Sequence, residues 1–308
     1  MSRNLKIGTR SSPLALWQAE WIKARLEEME EVGLVDLVKI KTSGDKILDV
    51  PLAKVGGKGL FTKEIEESLL RNETDLAVHS LKDVPTLVPD GLKVDIITER
   101  ENPYDVLVSR NIKFEDLPKG ALVGTSSLRR RSQLKRLRPD LLIVDIRGNI
   151  QTRIKKLETE KLDAIILAAA GMIRMGYEDQ ISEIIDPNVI LPAVGQGALG
   201  IEIRENDPEV EAIVKKLHHQ PTADCVMAER AFLRKLEGGC QVPIAAFGTV
   251  KGDELTLDGL VAEIDGQRVI KEQIIGPVKD SEALGVALAQ KLLDQGAGEI
   301  LAELYDGE

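Results

Sequence analysis

Short apolar runs alternate with longer amphipathic stretches over the first two thirds of the chain. The apolar runs predict strands at residues 5–9, 35–40, 76–78, 94–97, 106–109, 122–124, 142–145, 164–167 and 199–203. Apolar residues at helical spacing predict helices at 13–26, 61–70, from 127 onward, at 150–157 and at 209–217. Strands that alternate with helices indicate α/β layers built on largely parallel sheets.

The last third of the chain has a different pattern. A helix at 222–236 precedes strands at 242–250, 255–261 and 269–274, which Gly-containing turns join, and a helix rich in Ala and Leu follows at 281–294. Strands joined by tight turns are typical of an antiparallel sheet. Polar or Gly-rich breaks at 98–103 and 190–197 divide what precedes them, so we predict two α/β domains and a smaller α+β domain.

Composition limits the classes of protein that this chain can be. Of 308 residues, 43% are hydrophobic and 30% are charged, as in soluble globular proteins. No apolar run is long enough to span a membrane, and the N-terminus lacks a secretory signal pattern. The two cysteines, Cys225 and Cys240, make no disulfide framework, so we expect a reducing cytoplasm. A net charge of −10 and 3% aromatic residues argue against nucleic acid as a partner.

A basic cluster stands out against this acidic background. Between Gly124 and Arg153 there are eight Lys or Arg residues and two Asp residues. Thr-Ser-Ser at 125–127 and Arg-Gly-Asn at 147–149 each follow a predicted strand and open a predicted helix, where backbone N–H groups and the helix dipole attract anions. A solvated basic helix face is the alternative, which this arrangement favours less. Arginine binds carboxylate or phosphate through two hydrogen bonds, so the cluster indicates a ligand with several such groups.

The first domain repeats this arrangement at Arg10-Ser11-Ser12, where a strand ends and a helix begins. Two such sites predict a ligand held in a cleft between the two domains, at the carboxyl ends of their strands. Asp83, beside Lys82, also follows a strand and could transfer a proton or stabilise positive charge. A turn aspartate is the equally weighted alternative. We assign His79 a structural place in the strand.

Two Gly-containing loops complete the candidates. The loop at 52–61 has three glycines and two lysines but lacks the Gly-Lys-Ser/Thr ending of a phosphate loop, and it fits a mobile lid better. We expect residues 48–59 to close over the ligand. Cys240 follows Gly238-Gly239 on a predicted loop, where its sulfur could be reactive or simply a small buried hydrophobe. His218 and His219 diverge on a helix end, and no Cys/His spacing predicts a metal site.

Together these segments resemble the porphobilinogen deaminase (hydroxymethylbilane synthase) family. The resemblance runs from the first strand to the C-terminal Ile-Leu-Ala-Glu at 300–303. It is carried by these segments: 7–10 (IGTR), 12–19 (SPLALWQA), 54–61 (KVGGKGLF), 79–85 (HSLKDVP), 124–130 (GTSSLRR), 147–149 (RGN), 191–200 (LPAVGQGALG) and 237–243 (EGGCQVP). Arg131 departs from the family pattern as a third arginine, and Ser11 lies at a variable place, so neither receives a role.

The resemblance implies a transferase. It would join four porphobilinogen molecules head-to-tail, with loss of ammonia, onto a dipyrromethane cofactor bound to Cys240 by a thioether, and water would release 1-hydroxymethylbilane for tetrapyrrole (haem) biosynthesis. Asp83 would protonate the departing amine and stabilise cations. The cofactor would be bound by Ser12, Lys82, Thr125, Ser127, Arg129, Arg130, Arg147 and Gly148. The substrate would be bound by Arg10, Arg147, Arg153 and Arg174, and the arginines of both sets would bind side-chain carboxylates. Lys54, Lys58 and Phe61 would belong to the lid loop.

The resemblance also implies how the chain is divided. Residues 1–98 with 198–218, and residues 103–194, would form two periplasmic-binding-protein-like α/β domains with a central cleft. Residues 221–308 would form the small α+β C-terminal domain that carries the cysteine. We expect a monomer without a metal. The rival interpretation is a non-catalytic two-lobed binding protein for a polycarboxylate ligand, which predicts no role for Cys240 and no covalent adduct.

Overall fold

A computed structural model describes residues 2–46, 59–238 and 242–306. They divide into two compact units. The first contains the described parts of 1–50 and 57–101 together with 198–223, and the second contains 102–197 and the described parts of 224–308.

The elements follow one another in the order that the alternating pattern predicts. Up to the first break they are β1 (Arg3–Arg10), α1 (Pro13–Glu27), β2 (Val32–Ile40), α2 (Ser43–Lys46), α3 (Lys63–Leu70), β3 (Leu76–Ser80), a 3-10 turn (Leu81–Asp83) and β4 (Leu92–Ile97). Up to the second break they are β5 (Asp105–Ser109), β6 (Leu122–Gly124), α4 (Leu128–Leu137), β7 (Leu142–Val144), α5 (Ile150–Thr159), β8 (Ala164–Ala168), α6 (Ala169–Arg174), a 3-10 turn (Glu178–Gln180) and β9 (Glu183–Ile184).

The remaining elements return to the first unit and then complete the second. They are β10 (Leu199–Arg204), α7 (Pro208–Val214), a 3-10 turn (Lys215–Leu217), α8 (Gln220–Lys235), β11 (Ile244–Lys251), β12 (Glu254–Ala262), β13 (Val269–Pro277), a 3-10 turn (Val278–Asp280), α9 (Ser281–Leu293) and α10 (Ala297–Asp306). The sequence pattern missed α2, α6, β9 and α10, which are short or lie at the end of the chain.

The two α/β sheets have the same strand order. The first unit has the order β2-β1-β3-β10-β4, and the second has β7-β6-β8-β5-β9. In each sheet four strands run the same way, and the fourth strand of the order, β10 or β5, is antiparallel to both neighbours. The expected largely parallel sheets are therefore present, with one exception each. In each sheet the exceptional strand is the one that directly follows a strand of the other sheet in the sequence.

Local sequence explains how α1 is placed against the first sheet. The Ser12 hydroxyl accepts a hydrogen bond from the Ala15 N–H at 3.4 Å, and Pro13 occupies the first helical turn. The helix then buries Ala19, Ile22 and Leu26 completely. These side chains join Leu5 and Ile7 of β1 in one apolar core, which fixes the helix beside the strand end that it follows.

The smaller sheet confirms the predicted antiparallel hairpins. Its order is β11-β12-β13, with α8, α9 and α10 supplying the helical part of its core. The second unit thus contains a five-stranded and a three-stranded sheet, as expected for an α/β domain followed by an α+β domain. In the described part of the chain, no helix is both long and apolar enough to cross a membrane.

Candidate functional site

The carboxyl ends of β1 and β3 bring the predicted groups of the first unit to one sheet edge. The two strands are parallel neighbours, with Gly8 opposite Ala77. β1 ends at Arg10, and the 3-10 turn that follows β3 contains Lys82 and Asp83. Lys82 is half-buried, whereas Asp83 is exposed and therefore accessible to a ligand.

Two contacts fix the shape of this edge. The Gln18 amide of α1 donates a hydrogen bond to the Ser80 hydroxyl at 2.8 Å, which ties the helix to the end of β3. The Arg10 guanidinium lies over the ring of Phe61, 4.1 Å from its centroid. Phe61 was predicted as part of the lid loop, and the structure places it against a predicted carboxylate-binding arginine.

The second unit presents a similar edge at the ends of β6 and β7, which are parallel neighbours. Ser127 caps α4 by accepting a hydrogen bond from the Arg130 N–H at 3.4 Å. The Thr125 hydroxyl accepts a hydrogen bond from the Ser127 N–H at 3.3 Å. Asn149 caps α5 in the same way, through the Thr152 N–H at 2.8 Å. Two helix N-termini therefore begin at one sheet edge, as the sequence predicted, and both favour negative charge.

The Arg-Gly-Asn segment shows why glycine stands at position 148. Gly148 is exposed with φ of +110°, and a Cβ there would lie 2.6 Å from the Thr152 methyl group. The Arg153 side chain donates a hydrogen bond from Nε to the Gly148 carbonyl at 2.8 Å. Arg147 and Arg153 are both half-buried. The segment thus presents two arginines around a tight backbone turn.

Arg129 and Arg130 have a different environment, which the sequence did not reveal. Both are almost completely buried and both pair with Asp105, the first residue of β5. Arg129 Nη1 is 2.7 Å from Asp105 Oδ2, and Arg130 Nη2 is 2.7 Å from Oδ1. Arg130 also uses Nε on Asp105 and Nη1 on the Ile166 carbonyl. The Arg130 guanidinium is therefore engaged on every nitrogen within the protein.

In this buried cluster, attraction between opposite charges offsets the cost of burying them. Burial by itself would raise the pKa of the Asp105 carboxyl, but Arg129 and Arg130 hold that pKa well below its usual range. Burial likewise lowers the pKa of the Arg129 guanidinium, against the attraction of Asp105. Since an arginine pKa starts so high, the guanidinium stays charged. The cluster is a carboxylate between two cations, with one positive charge in excess.

Arg174, at the end of α6, is also buried. Its Nη2 donates a hydrogen bond to the Gly197 carbonyl at 2.7 Å. Arg131, which was left out of the predicted site, instead donates to the Ile143 carbonyl at 3.3 Å and lies 3.9 Å from Asp145. The three consecutive arginines of α4 thus face in different directions, two inward and one outward.

The predicted site residues that the structure describes form two groups, one in each unit. Arg10, Ser12, Phe61, Lys82 and Asp83 lie in the first, and Thr125, Ser127, Arg129, Arg130, Arg147, Gly148, Arg153 and Arg174 lie in the second. Lys54, Lys58 and Cys240 lie outside the described residues, as does most of the predicted lid at 48–59. Their roles stay predictions.

Sequence reasoning missed the residues that support the arginines. Asp105 also accepts a hydrogen bond from the Gln196 amide at 2.9 Å. The only local signal was an aspartate placed directly before a buried apolar strand, a position at which a charge needs a partner. His79 is buried as predicted, and its Nε2 lies 2.8 Å from the carboxylate of Glu202.

Comparisons with known proteins identify the family to which the chain belongs. Residues 5–212 match the family model for the porphobilinogen deaminase dipyrromethane cofactor binding domain, and residues 223–294 match the model for the C-terminal domain. The chain belongs to the porphobilinogen deaminase family. It is 60% identical over 306 residues to a porphobilinogen deaminase of Geobacter metallireducens, covering 99% of this chain and 96% of the relative. A porphobilinogen deaminase of Geobacter sulfurreducens is 59% identical over 304 residues, with the same coverage.

Among solved structures, similar chains include two ligand-binding proteins. The methionine binding protein MetQ has a TM-score of 0.44 and 13% identity, covering 72% of this chain and 90% of that chain. The aliphatic sulphonate binding protein SsuA from Escherichia coli has a TM-score of 0.41 and 16% identity, covering 77% and 71%. The predicted fold class is confirmed by the sheets themselves: two α/β sheets of equal strand order and a small α+β part.

Proposed function

We propose that this chain is a hydroxymethylbilane synthase. It deaminates four porphobilinogen molecules, joins them head-to-tail onto a dipyrromethane primer held by Cys240, and releases 1-hydroxymethylbilane by hydrolysis. The observation that carries this proposal is family membership over almost the whole chain, at 60% identity to a porphobilinogen deaminase. The reaction supplies linear tetrapyrrole for haem-type biosynthesis.

The donor groups of the second unit fit a cofactor of this kind. Each pyrrole of dipyrromethane has an acetate and a propionate side chain, so the site must hold several carboxylates. The edge of the second sheet offers two helix N-termini, the half-buried guanidinium groups of Arg147 and Arg153, and an exposed backbone at Gly148. Guanidinium and backbone N–H groups are the partners that carboxylates prefer. When bound, dipyrromethane supplies the free pyrrole end to which the first substrate is joined.

Asp83 is the proton donor of the proposal. Its carboxyl group lies on a short 3-10 turn and is exposed, so it can approach the aminomethyl group of porphobilinogen. A proton held there can be given to the departing amine, and the resulting carboxylate stabilises positive charge on the pyrrole. Arg10, at the same sheet edge, would bind substrate carboxylates and keep the ring in place, and Lys82 would assist in binding the cofactor.

Arg129 and Arg174 would contribute to ligand binding as buried guanidinium groups with fixed directions. Each spends one terminal nitrogen on a backbone carbonyl, which fixes the direction of its guanidinium group. The Arg129–Arg130–Asp105 cluster has one positive charge in excess, and such a fixed field attracts a polycarboxylate without any movement of the arginines. Arg130 would act through this charge, because its nitrogens are engaged within the protein.

We also propose an oligomeric state, a cellular compartment and domain boundaries. We propose that the enzyme acts as a monomer in the cytoplasm, with three domains at 1–98 plus 198–218, 103–194 and 221–308. Two cysteines without a disulfide framework support a reducing compartment, and the net charge of −10 disfavours nucleic acid. Light scattering of the purified protein should give one mass near 33.8 kDa plus the cofactor.

The test is the intact mass of the purified protein beside Cys240→Ser and Cys225→Ser. Cys225 is the matched control, since it is buried in the core of the small domain. We expect added mass equal to two porphobilinogens less two ammonias on the wild type and on Cys225→Ser, and none on Cys240→Ser. A wild type without this mass, even after incubation with porphobilinogen, would refute the proposal and favour a binding protein.

A further inference from the structure

The segment at 191–197, here called the crossover segment, joins β9 to β10. It is bound by two of the three buried arginines that were predicted to bind carboxylates. Arg129 donates a hydrogen bond to the Leu191 carbonyl at 2.7 Å, and Arg174 donates to the Gly197 carbonyl at 2.7 Å. The Gln133 side chain of α4 adds a bond from the Leu191 N–H at 2.8 Å. The crossover segment therefore provides one of the contacts that orient each of these two guanidinium groups.

Glu229 of α8 holds the same segment from its other side. The side chain is completely buried, and Oε2 accepts a hydrogen bond from the Gly195 N–H at 2.7 Å. Oε1 accepts another from the Gly248 N–H at 2.9 Å. Gly248 belongs to β11, an edge strand of the small sheet, whose outward N–H needs an acceptor. One carboxylate thus joins three elements: α8, β11 and the crossover segment.

The chemistry of this bridge requires a carboxylate. Its two oxygens each accept one backbone N–H, and hydrogen bonds to a charged acceptor are stronger than neutral ones. A glutamine amide of the same shape has one oxygen, so its NH₂ group would face the N–H of either Gly195 or Gly248. The NH₂ group and the backbone N–H, both donors, would then face each other in the buried interior. This arrangement costs more stability than the loss of a single hydrogen bond.

Close packing leaves this bridge little freedom. A Cβ at Gly248 would lie 3.1 Å from Cys225 Cα, so β11 lies directly against α8. Val194 of the crossover segment belongs to the apolar core that Cys225, Ala228 and Phe232 of α8 share. The helix itself ends at Lys235, five positions before Cys240 in the sequence.

We propose that Glu229 is a positioning residue for ligand carboxylates, acting on Arg129 and Arg174 through the crossover segment. This inference rests on the proposed function, since it takes the two arginines as part of the binding site. It gives Glu229 a role in affinity for porphobilinogen and its polymer, in addition to its role in the core.

The experiment compares Glu229→Gln with Glu282→Gln in the full-length protein. Glu282 is the matched control, because it also contacts α8, through Arg234 at 2.5 Å, but on the exposed side. Three quantities are measured: the fraction of chains with the covalent cofactor mass, kcat and KM for porphobilinogen, and hydrogen exchange of the amides of the crossover segment. Thermal unfolding gives the stability of each variant separately.

We expect Glu229→Gln to raise KM roughly ten-fold, the effect of one charged hydrogen bond, with a smaller change in kcat. It should also lower the cofactor fraction and speed exchange in the crossover segment, while Glu282→Gln behaves as the wild type. A Glu229→Gln protein that only unfolds at lower temperature, with KM, cofactor fraction and exchange unchanged, overturns the inference.

Two further outcomes are separable. If Glu229→Gln does not fold, the test is made with Gln133→Leu. This variant removes the hydrogen bond to the Leu191 N–H and should raise KM in the same way. An unchanged KM in Gln133→Leu overturns the inference. If the wild type itself neither carries the cofactor mass nor consumes porphobilinogen, the proposed function is wrong and this inference falls with it. An active wild type beside a normal Glu229→Gln refutes this inference alone.

Discussion

The guanidinium group of Arg10 lies over the ring of Phe61, with its central carbon 4.1 Å from the ring centroid. A cation over an aromatic face is attracted to it, and the contact also fixes the direction in which the arginine points. Phe61 is the last residue of the loop predicted at 52–61, and the described chain resumes just before it, at Gly59. The contact therefore connects the end of that loop to a predicted carboxylate-binding side chain.

Replacing Phe61 tests this connection. Phe61→Leu should lower kcat/KM for porphobilinogen about two- to thirty-fold, since a cation–π contact contributes about 0.5–2 kcal/mol. Phe61→Tyr keeps the aromatic face and is expected to stay within about two-fold of the wild type. Steady-state kinetics decide, and equal losses in both variants would mean that the contact does not orient Arg10.

Replacing Asp83 should affect catalysis without affecting the stability of the fold. Asp83→Asn removes the proton donor and should lower kcat by roughly 10²- to 10⁴-fold. The unfolding temperature should not change, because the side chain is exposed. Asp90→Asn, at an exposed turn of the same unit, is the control and should retain full activity. An active Asp83→Asn enzyme would remove the residue from the mechanism.

The Asp105 cluster should dominate the stability of the second unit. Asp105→Asn leaves two buried guanidinium groups without their carboxylate, and we expect a loss of about 3–5 kcal/mol in the free energy of unfolding. Asp140→Asn breaks the half-buried pair with Arg138 and should cost less. Urea unfolding followed by circular dichroism measures both. Similar losses in the two variants would contradict the importance of burial.

The same carboxylate predicts a pH dependence. The Asp105 pKa is lower in the folded protein than the value of about 3.9 in an unfolded chain. Its contribution to stability is therefore complete above about pH 5 and declines as the pH falls toward the folded pKa. The difference in unfolding free energy between the wild type and Asp105→Asn should shrink on acidification, and a constant difference would contradict the assignment.

The contribution of Glu66 to stability should change with pH in the opposite direction to that of Asp105. Burial raises the pKa of its carboxyl group, which faces Thr62, His79, Glu202 and Glu64. Above about pH 4.3 the unfolded chain releases this proton before the folded protein does, so the native state loses stability as pH rises toward the folded pKa. Glu66→Gln should therefore unfold at a higher temperature than the wild type at pH 7, and at nearly the same temperature at pH 4.

The control for this prediction is Glu67→Gln. Glu67 lies next in the same helix but is 46% exposed beside Arg71. Its replacement should not raise the unfolding temperature at either pH. A Glu66→Gln protein that is less stable at pH 7 would mean that the ionised carboxylate is needed beside His79.

The turn between β12 and β13 should be intolerant of a side chain. Gly266 has φ of +73°, and a Cβ there would meet the Ser132 carbonyl and lie 2.6 Å from the Arg136 N of α4. Gly252 has φ of +62° and nothing within 4 Å of such a Cβ. Alanine at each position carries a similar cost of backbone conformation, so the difference between the two variants isolates the contact. We expect Gly266→Ala to unfold several degrees below Gly252→Ala in a thermal scan.

The sequence predicted most of the fold because period and turn chemistry are local. Ser12-Pro13 and Ser127 do begin their helices, and the predicted strands are present within a few residues of their bounds. The pattern could not predict which residues contact Arg129 and Arg130. Their partner Asp105 is more than twenty residues away, and a local excess of arginine looks the same whether it faces a ligand or a buried carboxylate.

The same limit applies to Glu229. Its two backbone partners are 34 and 19 residues away in sequence, and neither glycine has a side chain to mark the contact. In contrast, Arg147-Gly148-Asn149 could be recognised because cap, turn and charge are consecutive. Local chemistry is thus predictable from this chain, whereas the supports that orient it arise only when distant segments come together.

The antiparallel strand β10 has a consequence for how the protein is made. It lies between β3 and β4, yet Ile97 of β4 is followed by 101 residues before Leu199 is reached. At about 5–20 residues per second, a ribosome needs roughly 5–20 seconds to synthesise that stretch. During this interval the nascent first sheet lacks its interior strand and exposes two unsatisfied edges, which are sites of aggregation. We therefore expect nascent chains stalled before residue 199 to bind chaperones and those released beyond residue 204 to escape them.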